Sequence, residues 1–355
     1  MKILVISLAG IGDTLFATPL IHELRVNYPD AVIDALVMWP GSRQVLEGNP
    51  HVNTVHHHHL ISASPAARLK MLGPVRRVGY DISISTHPQS RMPYRLVARY
   101  VGAKTRISHT YECSGWLDTF LVNRTLPQNY SIHCVENNLA LLGLMGAKPK
   151  LPHHQYELFL AEAEKIWAAD FIAQHGLTER RLLGMHVGSG PTKNLPLRRW
   201  PVAHFVELIQ RLNRERPDVS VLLFGGPEEI QAHETILRET NSPLVLQPDS
   251  KSIRQAAALL EKCHAFLSVD TVLMHLAAFA RVPKQIVIET PTFNKTVEPY
   301  GQPFVLVPNP AVGGKNLDYY RYDGDGIKGS DEELRRCMAS VSVDAVFEAA
   351  IAAVD

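Results

Sequence analysis

The chain has 355 residues, 46% hydrophobic and 20% charged, proportions of an ordinary globular protein that exclude disordered, collagenous and coiled-coil classes. At a prior of about 150 residues per domain the length points to two domains. Lys and Arg number 36 against 35 Asp and Glu, which gives no reason to expect a nucleic-acid partner, and the four scattered cysteines form no CxxC pair, zinc knuckle or disulfide framework.

In chain order, the opening KILVISL is an unbroken apolar run, the pattern of a strand buried on both faces of a parallel sheet. GIGD breaks it. A helical pattern through Leu15, Leu20, Leu24 and Tyr28 follows, with Pro19 placed inside or near the first turn, and AVIDALVM supplies a second strand. Glycine comes too early for a signal peptide and no apolar stretch approaches a membrane span, so a cytoplasmic protein is expected. Further strands are predicted at 81–86 and 106–108, with helices at about 64–72 and 92–101. The run His56 to His59 has no spaced partner and is read as exposed loop rather than a metal site.

Between about 148 and 181 the composition shifts, with Pro149, Pro152 and then a helical AEAEKIWAADFIAQHG ending at Gly176. This divides the chain into a first domain, 1–160, and a second, 161–355. The second restarts the strand–helix alternation at LLGMHV, SVLLFGG, AFLSV and KQIVIET; 308–330 is read as loop, and Ser342 as the N-cap of a closing helix at about 342–354. The fold class is therefore α/β, two Rossmann-like doubly wound domains facing across a ligand-binding cleft. Charge divides with the domains. Residues 1–150 carry 15 basic and 9 acidic side chains, and 64–124 alone carries ten and three, so the first half suits an anionic partner.

Three turns carry candidate chemistry. Gly10-Ile11-Gly12-Asp13-Thr14 has two glycines of a dinucleotide fingerprint, and Asp34 lies about 20 residues on, but Leu15 stands where the third glycine belongs. Asp13 either caps the following helix or serves as a general base. Gly188-Ser189-Gly190-Pro191-Thr192-Lys193, followed by Arg198-Arg199-Trp200-Pro201, suits a diphosphate or is an ordinary loop with solvated charges. Asp270-Thr271 ends a strand and opens a helix through Val272, Leu273, Met274 and His275. Its free amides would receive an anion while Asp270 accepts hydroxyls, the alternatives being a simple N-cap and a buried histidine. Asp323-Gly-Asp325-Gly fails as a calcium loop because Ile327 takes the next ligand position.

Taken together, KILVISLAGIGDTLFATPLIHELR, HCVENNLALLGLMGA, HVGSGPTKNLPLRRWPVAHFVEL, VLLFGGPEE, FLSVDTVLMHLAAFARVP and RRCMASVSVDAVFEAA resemble glycosyltransferase family 9, the ADP-heptose:lipopolysaccharide heptosyltransferases. The resemblance implies a GT-B fold with an N-terminal acceptor domain, a C-terminal donor domain and a last helix packing back toward the first. It also implies inverting, metal-independent transfer of heptose from ADP-L-glycero-D-manno-heptose to the lipopolysaccharide inner core, with no cofactor. By position, Asp13 matches the catalytic base and Asp270 the donor-binding aspartate of the family's Asp-Ser/Thr-Gly-Pro-x-His motif. Arg198 stands where the family usually has a diphosphate-binding Lys, with Lys193 as an alternative cation. The donor set is thus Ser189, Gly190, Thr192, Lys193, Arg198, Asp270, Thr271, Met274 and His275.

An acceptor of phosphorylated lipid A and carboxylated Kdo sugars is strongly anionic, which makes Arg76, Arg77, Arg91, Arg95 and Arg99 acceptor candidates beside Gly12 and Thr14. The same basic face suits peripheral contact with anionic lipid at the inner membrane surface. Two departures stand out, Val272-Leu273 for the family's Gly-Pro and Glu289-Thr290-Pro291-Thr292 for its Phe-Gly-Pro-Thr. Another nucleotide sugar, another acceptor, a sugar-nucleotide epimerase, a nicotinamide oxidoreductase or a non-catalytic relative remain the competing readings.

Overall fold

A computed structural model describes residues 1–355, in which the chain divides into two units, Met1–Phe159 with Tyr322–Gly324, and Leu160–Arg321 with Asp325–Asp355. The first unit runs β1 (Lys2–Ser7), α1 (Ile11–Asn27), β2 (Val32–Val37), α2 (Pro40–Leu46), β3 (Thr54–His57), α3 (Pro65–Arg77), β4 (Ile82–Ser85), α4 (Met92–Val101), β5 (Thr105–Thr110), α5 (Trp116–Leu121), β6 (Arg124–Pro127) and α6 (Cys134–Ala140). All its strands are parallel, in the order β3-β2-β1-β4-β5-β6. Ile3, Leu4 and Ile6 of β1 are fully buried, because helices cover both faces of a parallel sheet and the strand needs no polar side.

The second unit runs α7 (Glu162–Gln174), β7 (Arg181–His186), α8 (Val202–Glu215), β8 (Val219–Phe224), α9 (Ile230–Thr240), β9 (Val245–Leu246), α10 (Ile253–Leu260), β10 (Ala265–Ser268), α11 (Val272–Phe279), β11 (Lys284–Ile288), β12 (Phe304–Val307), α12 (Asn316–Tyr319), α13 (Asp331–Ala339) and α14 (Val343–Val354). Its order, β12-β11-β10-β7-β8-β9, is the same doubly wound topology, again all parallel. In each sheet the winding reverses once, between β1 and β4 and between β7 and β10. At such a switch point the loops leaving adjacent strands diverge and open a crevice.

Several details depart from the sequence reading. Pro19 lies in the middle of α1, not its first turn; it cannot donate to the carbonyl of Leu15, and the Thr18 hydroxyl donates there instead at 2.8 Å. His56 and His57 form part of edge strand β3 rather than loop, with His56 Nε2 3.1 Å from the Tyr80 hydroxyl. Segment 308–330 contains α12, and its residues Tyr322–Gly324 belong to the first unit, where Tyr322 stacks on Tyr130 at 5.6 Å and donates its N–H to that phenol. Ser342 caps α14 by accepting from Ala345 N–H at 3.3 Å. The helix itself, pictured as packing back toward the first domain, buries Val346, Phe347, Ala350 and Val354 in the second sheet's core with Leu183, Leu267 and Ile288. Its apolar stripe is what that sheet face requires. No single helix is long and apolar enough to cross a membrane.

Candidate active site

Asp13 is the third residue of α1, at the first switch point. Its Oδ2 accepts from the Gly10 N–H at 2.5 Å, so the carboxylate satisfies one of the amides a helix start leaves open. A Cβ on Gly10 would sit 3.0 Å from that oxygen, so glycine there lets the turn close on the acid. Asp13 is half-buried, and close enough to Tyr94 of α4 that, after burial itself, its charge is what raises that phenol's pKa. Arg91 bonds the same phenol. Asp13, Tyr94 and Arg91 thus come together beside the β1–β4 crevice. The floor is braced by Gln89, whose Nε2 donates to the carbonyls of Ile6 and Thr86, at 2.5 and 2.9 Å.

Other first-domain candidates are placed differently. Gly12 is half-buried in the first turn of α1, but Thr14 is fully buried, its hydroxyl within 2.8 Å of Ser42 Oγ and 3.2 Å of Ser7 Oγ, so it ties α1 to α2 and β1 rather than meeting an acceptor. Arg95 is only 1% exposed, pairs with Asp118 and donates to the His109 carbonyl at 2.7 Å; it is a core cation, because α4 turns Arg95, Ala98 and Val101 inward. Arg76, an exposed residue, donates to the Tyr100 carbonyl at 2.5 Å and joins α3 to α4, its guanidinium over the Tyr100 ring. Arg77, Arg91 and Arg99 are exposed. Asp34 sits inside β2 rather than at its carboxyl end and accepts from the Tyr80 hydroxyl at 2.6 Å, so it is not placed to hold a ribose.

At the second switch point Asp270 is 7% exposed. One Arg198 nitrogen, Nη1, lies 3.0 Å from both carboxylate oxygens; Thr292 Oγ1 donates at 2.8–2.9 Å and Thr290 Oγ1 at 3.1 Å. Burial pushes the Asp270 carboxyl upward, and Arg198 and the two hydroxyls oppose it. Thr271 opens α11 without capping it, because its hydroxyl is held by His186 Nδ1 at 3.0 Å. Burial drives His186 down to about 3, so this imidazole is neutral at pH 7. The first amides of α11 therefore lack a side-chain cap, a ready anion receptor. His275 is buried in the same helix, whereas Met274 is fully buried with Val287 and Phe293 and is a core residue rather than a donor contact.

The loop after β7 supplies the rest. Ser189 is 2% exposed, donates to the Leu195 carbonyl at 3.0 Å and accepts from Arg199 Nε at 3.2 Å, so its hydroxyl folds the loop. Gly188 is required because any Cβ would fall 2.0 Å from Glu229 Oε1. Gly190 is half-buried; Thr192 and Lys193 are exposed, Lys193 in a left-handed conformation (φ 55°) beside Asn194, which bonds both backbone groups of Ile327. Lys193 thus belongs to an outer loop, and Arg198 is the cation that meets Asp270. His186, Thr290 and Thr292 escaped the sequence reading; the only signal was the altered Glu-Thr-Pro-Thr, whose Glu289 instead accepts from the Asn309 N–H at 2.7 Å. Away from both switch points, ligand atoms of His22, His51 and Glu157 lie within 4.8 Å of one another. His22 Nδ1 is already within hydrogen-bond distance of Glu157 Oε1 at 2.6 Å, and its ring stacks on His51 at 3.8 Å, so the three side chains are engaged with one another.

The model of glycosyltransferase family 9 (heptosyltransferase) matches residues 68–316. Lipopolysaccharide heptosyltransferase 2 of Salmonella typhimurium is 30% identical over 294 residues, covering 78% of this chain and 80% of that protein. Lipopolysaccharide heptosyltransferase 3 of Escherichia coli is 24% identical over 280 residues, 77% and 78% of the two chains. Among solved structures, a family 9 glycosyltransferase from Veillonella parvula superposes with a TM-score of 0.77 at 19% identity, over 99% of this chain and 97% of its own. The E. coli ADP-heptose heptosyltransferase II gives 0.72 at 22%, over 100% and 98%. These likenesses make the two doubly wound domains a GT-B fold, and the chain belongs to glycosyltransferase family 9.

Proposed function

We propose that this glycosyltransferase moves a heptose, with inversion, from ADP-L-glycero-D-manno-heptose to the inner core of lipopolysaccharide, with Asp13 as general base. The observation that carries this reading is the opposite chemistry of the two switch points: a half-buried carboxylate in one domain, and a buried Asp270 paired with the partly exposed Arg198 beside an uncapped helix start in the other. The relatives' names supply heptose and lipopolysaccharide. In the reaction the acceptor hydroxyl attacks the anomeric carbon on the face opposite ADP and Asp13 takes its proton. The bond from that carbon to the diphosphate oxygen breaks, and the departing ADP carries the negative charge. The α11 amides, the helix dipole and Arg198 stabilise it. Asp270 fixes Arg198 in place and offers its remaining acceptor capacity to sugar hydroxyls. Arg77, Arg91 and Arg99 attract the anionic acceptor, and the reaction is placed in the cytoplasm at the inner membrane surface.

The test is incubation with ADP-heptose and Kdo-lipid A, with and without a chelator. A product heavier by one heptose in both arms supports the reading; no product from ADP-heptose together with turnover of a UDP- or GDP-sugar moves the donor. That second reading rests on Val272-Leu273, since a β-branched, half-buried side chain stands at the first position of α11 where the family usually has glycine.

A further inference from the structure

Helices α4 and α5 each bury a charge and expose large apolar side chains. α4 buries Arg95 and exposes Met92 and Leu96, 37% and 52% accessible, on a stripe that ends in Arg99 one turn on. α5 buries Asp118 and exposes Trp116, Leu117 and Phe120, at 79%, 41% and 64%. The two charges meet each other as a buried Arg95–Asp118 pair beside the buried Ala98, Val101 and Leu121, while a second set of apolar side chains faces outward. The faces are continuous, since the Arg99 guanidinium lies 5.7 Å from the centre of the Phe120 ring.

We propose that this α4–α5 face is a membrane anchor whose Trp116, Leu117, Phe120, Met92 and Leu96 enter the headgroup and upper acyl region of an anionic bilayer. It deepens the proposed function, resting on the reading that the acceptor is a lipid-linked glycan. Charge selects lipid over another occupant: the surrounding segment 64–124 holds ten basic and three acidic residues, one of each sign cancelled inside as Arg95–Asp118. Trp and Phe fit the interface, an aromatic body in the acyl layer beneath cations in the headgroups, and the Arg99 guanidinium sits over the Phe120 ring. A second copy of the chain would bring two like-charged surfaces together, which this charge distribution disfavours.

The test is flotation of the full chain with phosphatidylethanolamine/phosphatidylglycerol vesicles and with phosphatidylcholine vesicles, neither donor nor acceptor present. The wild type should float with the anionic vesicles only. W116A/F120A should partition at least about tenfold less, from loss of two buried aromatic side chains. Trp116 emission should shift to the blue on binding and be quenched by brominated lipid chains, a response W116F removes while keeping the fold. On a deacylated, water-soluble acceptor the double variant should turn over at the wild-type rate; if neither protein turns over while wild type still floats, the functional reading fails and the anchor stands. Equal flotation of wild type and double variant overturns the anchor, as does a concentration-dependent dimer that the double variant abolishes, which would make a second copy the occupant.

Discussion

The two switch points present the same element, an aspartate at a strand-to-helix turn, and give it opposite circumstances. Asp13 is half-buried and accepts from a backbone amide, whereas Asp270 is 7% exposed and held by a guanidinium and two threonine hydroxyls. A proton acceptor has to stay reachable and keep oxygen lone pairs for substrate. A positioning carboxylate has to be pinned. Residue type and turn position are common to both, so partners and burial decide the role.

The comparison breaks hardest at Asp13. Asp13→Asn keeps an oxygen for the Gly10 N–H and should fold normally, yet turnover should fall about 10²- to 10⁴-fold, the usual contribution of a general base. Steady-state kinetics beside a denaturation curve check both halves, and near wild-type turnover would remove Asp13 from the role. Next comes the pair of arginines that the sequence could not tell apart. Arg95→Ala strands Asp118 in the interior and should cost about 3–5 kcal/mol of stability. Arg77→Ala, on the surface, should change stability by less than about 0.5 kcal/mol while weakening acceptor binding more at low salt than at high.

Arg198→Ala sharpens the second switch point. It leaves Asp270 with only its two threonine donors and should cost about 3 kcal/mol, less than full burial would imply because the Arg198 side chain is 12% exposed. Arg198→Lys should recover stability better than donor affinity. The last expectation is a pH dependence. His51, His109 and His233 are pushed by burial to about 4, and His186 to about 3, against an ordinary 6.5. Unfolded, they take up protons below pH 6.5 that the folded chain refuses. Stability is therefore full above about 6.5 and falls as pH drops toward 4. Denaturant midpoints between pH 7.5 and 5 read this directly.

The buried central strands were legible because an apolar run such as KILVIS or VSVLLF declares itself. The edge strands were not: β3 is Thr-Val-His-His, β6 is Arg-Thr-Leu-Pro and β9 has two residues, so half-exposed, short segments carry no periodic signal. At the candidate site, Asp13, Asp270 and Arg198 could be singled out by position, since each lies beside a turn that glycine, proline or a helix start marks. Arg95 was misjudged because charge counts treat every arginine as solvated, and only the Asp118 opposite it reveals an inward face. Thr290 and Thr292 reach Asp270 from the carboxyl end of the neighbouring strand β11, a proximity set by sheet order.

The most direct measurement is a calorimetric titration of ADP, UDP and GDP into wild type, Asp13→Asn and Arg198→Ala. If the two switch points divide the work as described, ADP binds selectively, Asp13→Asn binds it as tightly as wild type, and Arg198→Ala binds it at least about tenfold more weakly. Equal weakening by both variants, or none by Arg198→Ala, would contradict that division.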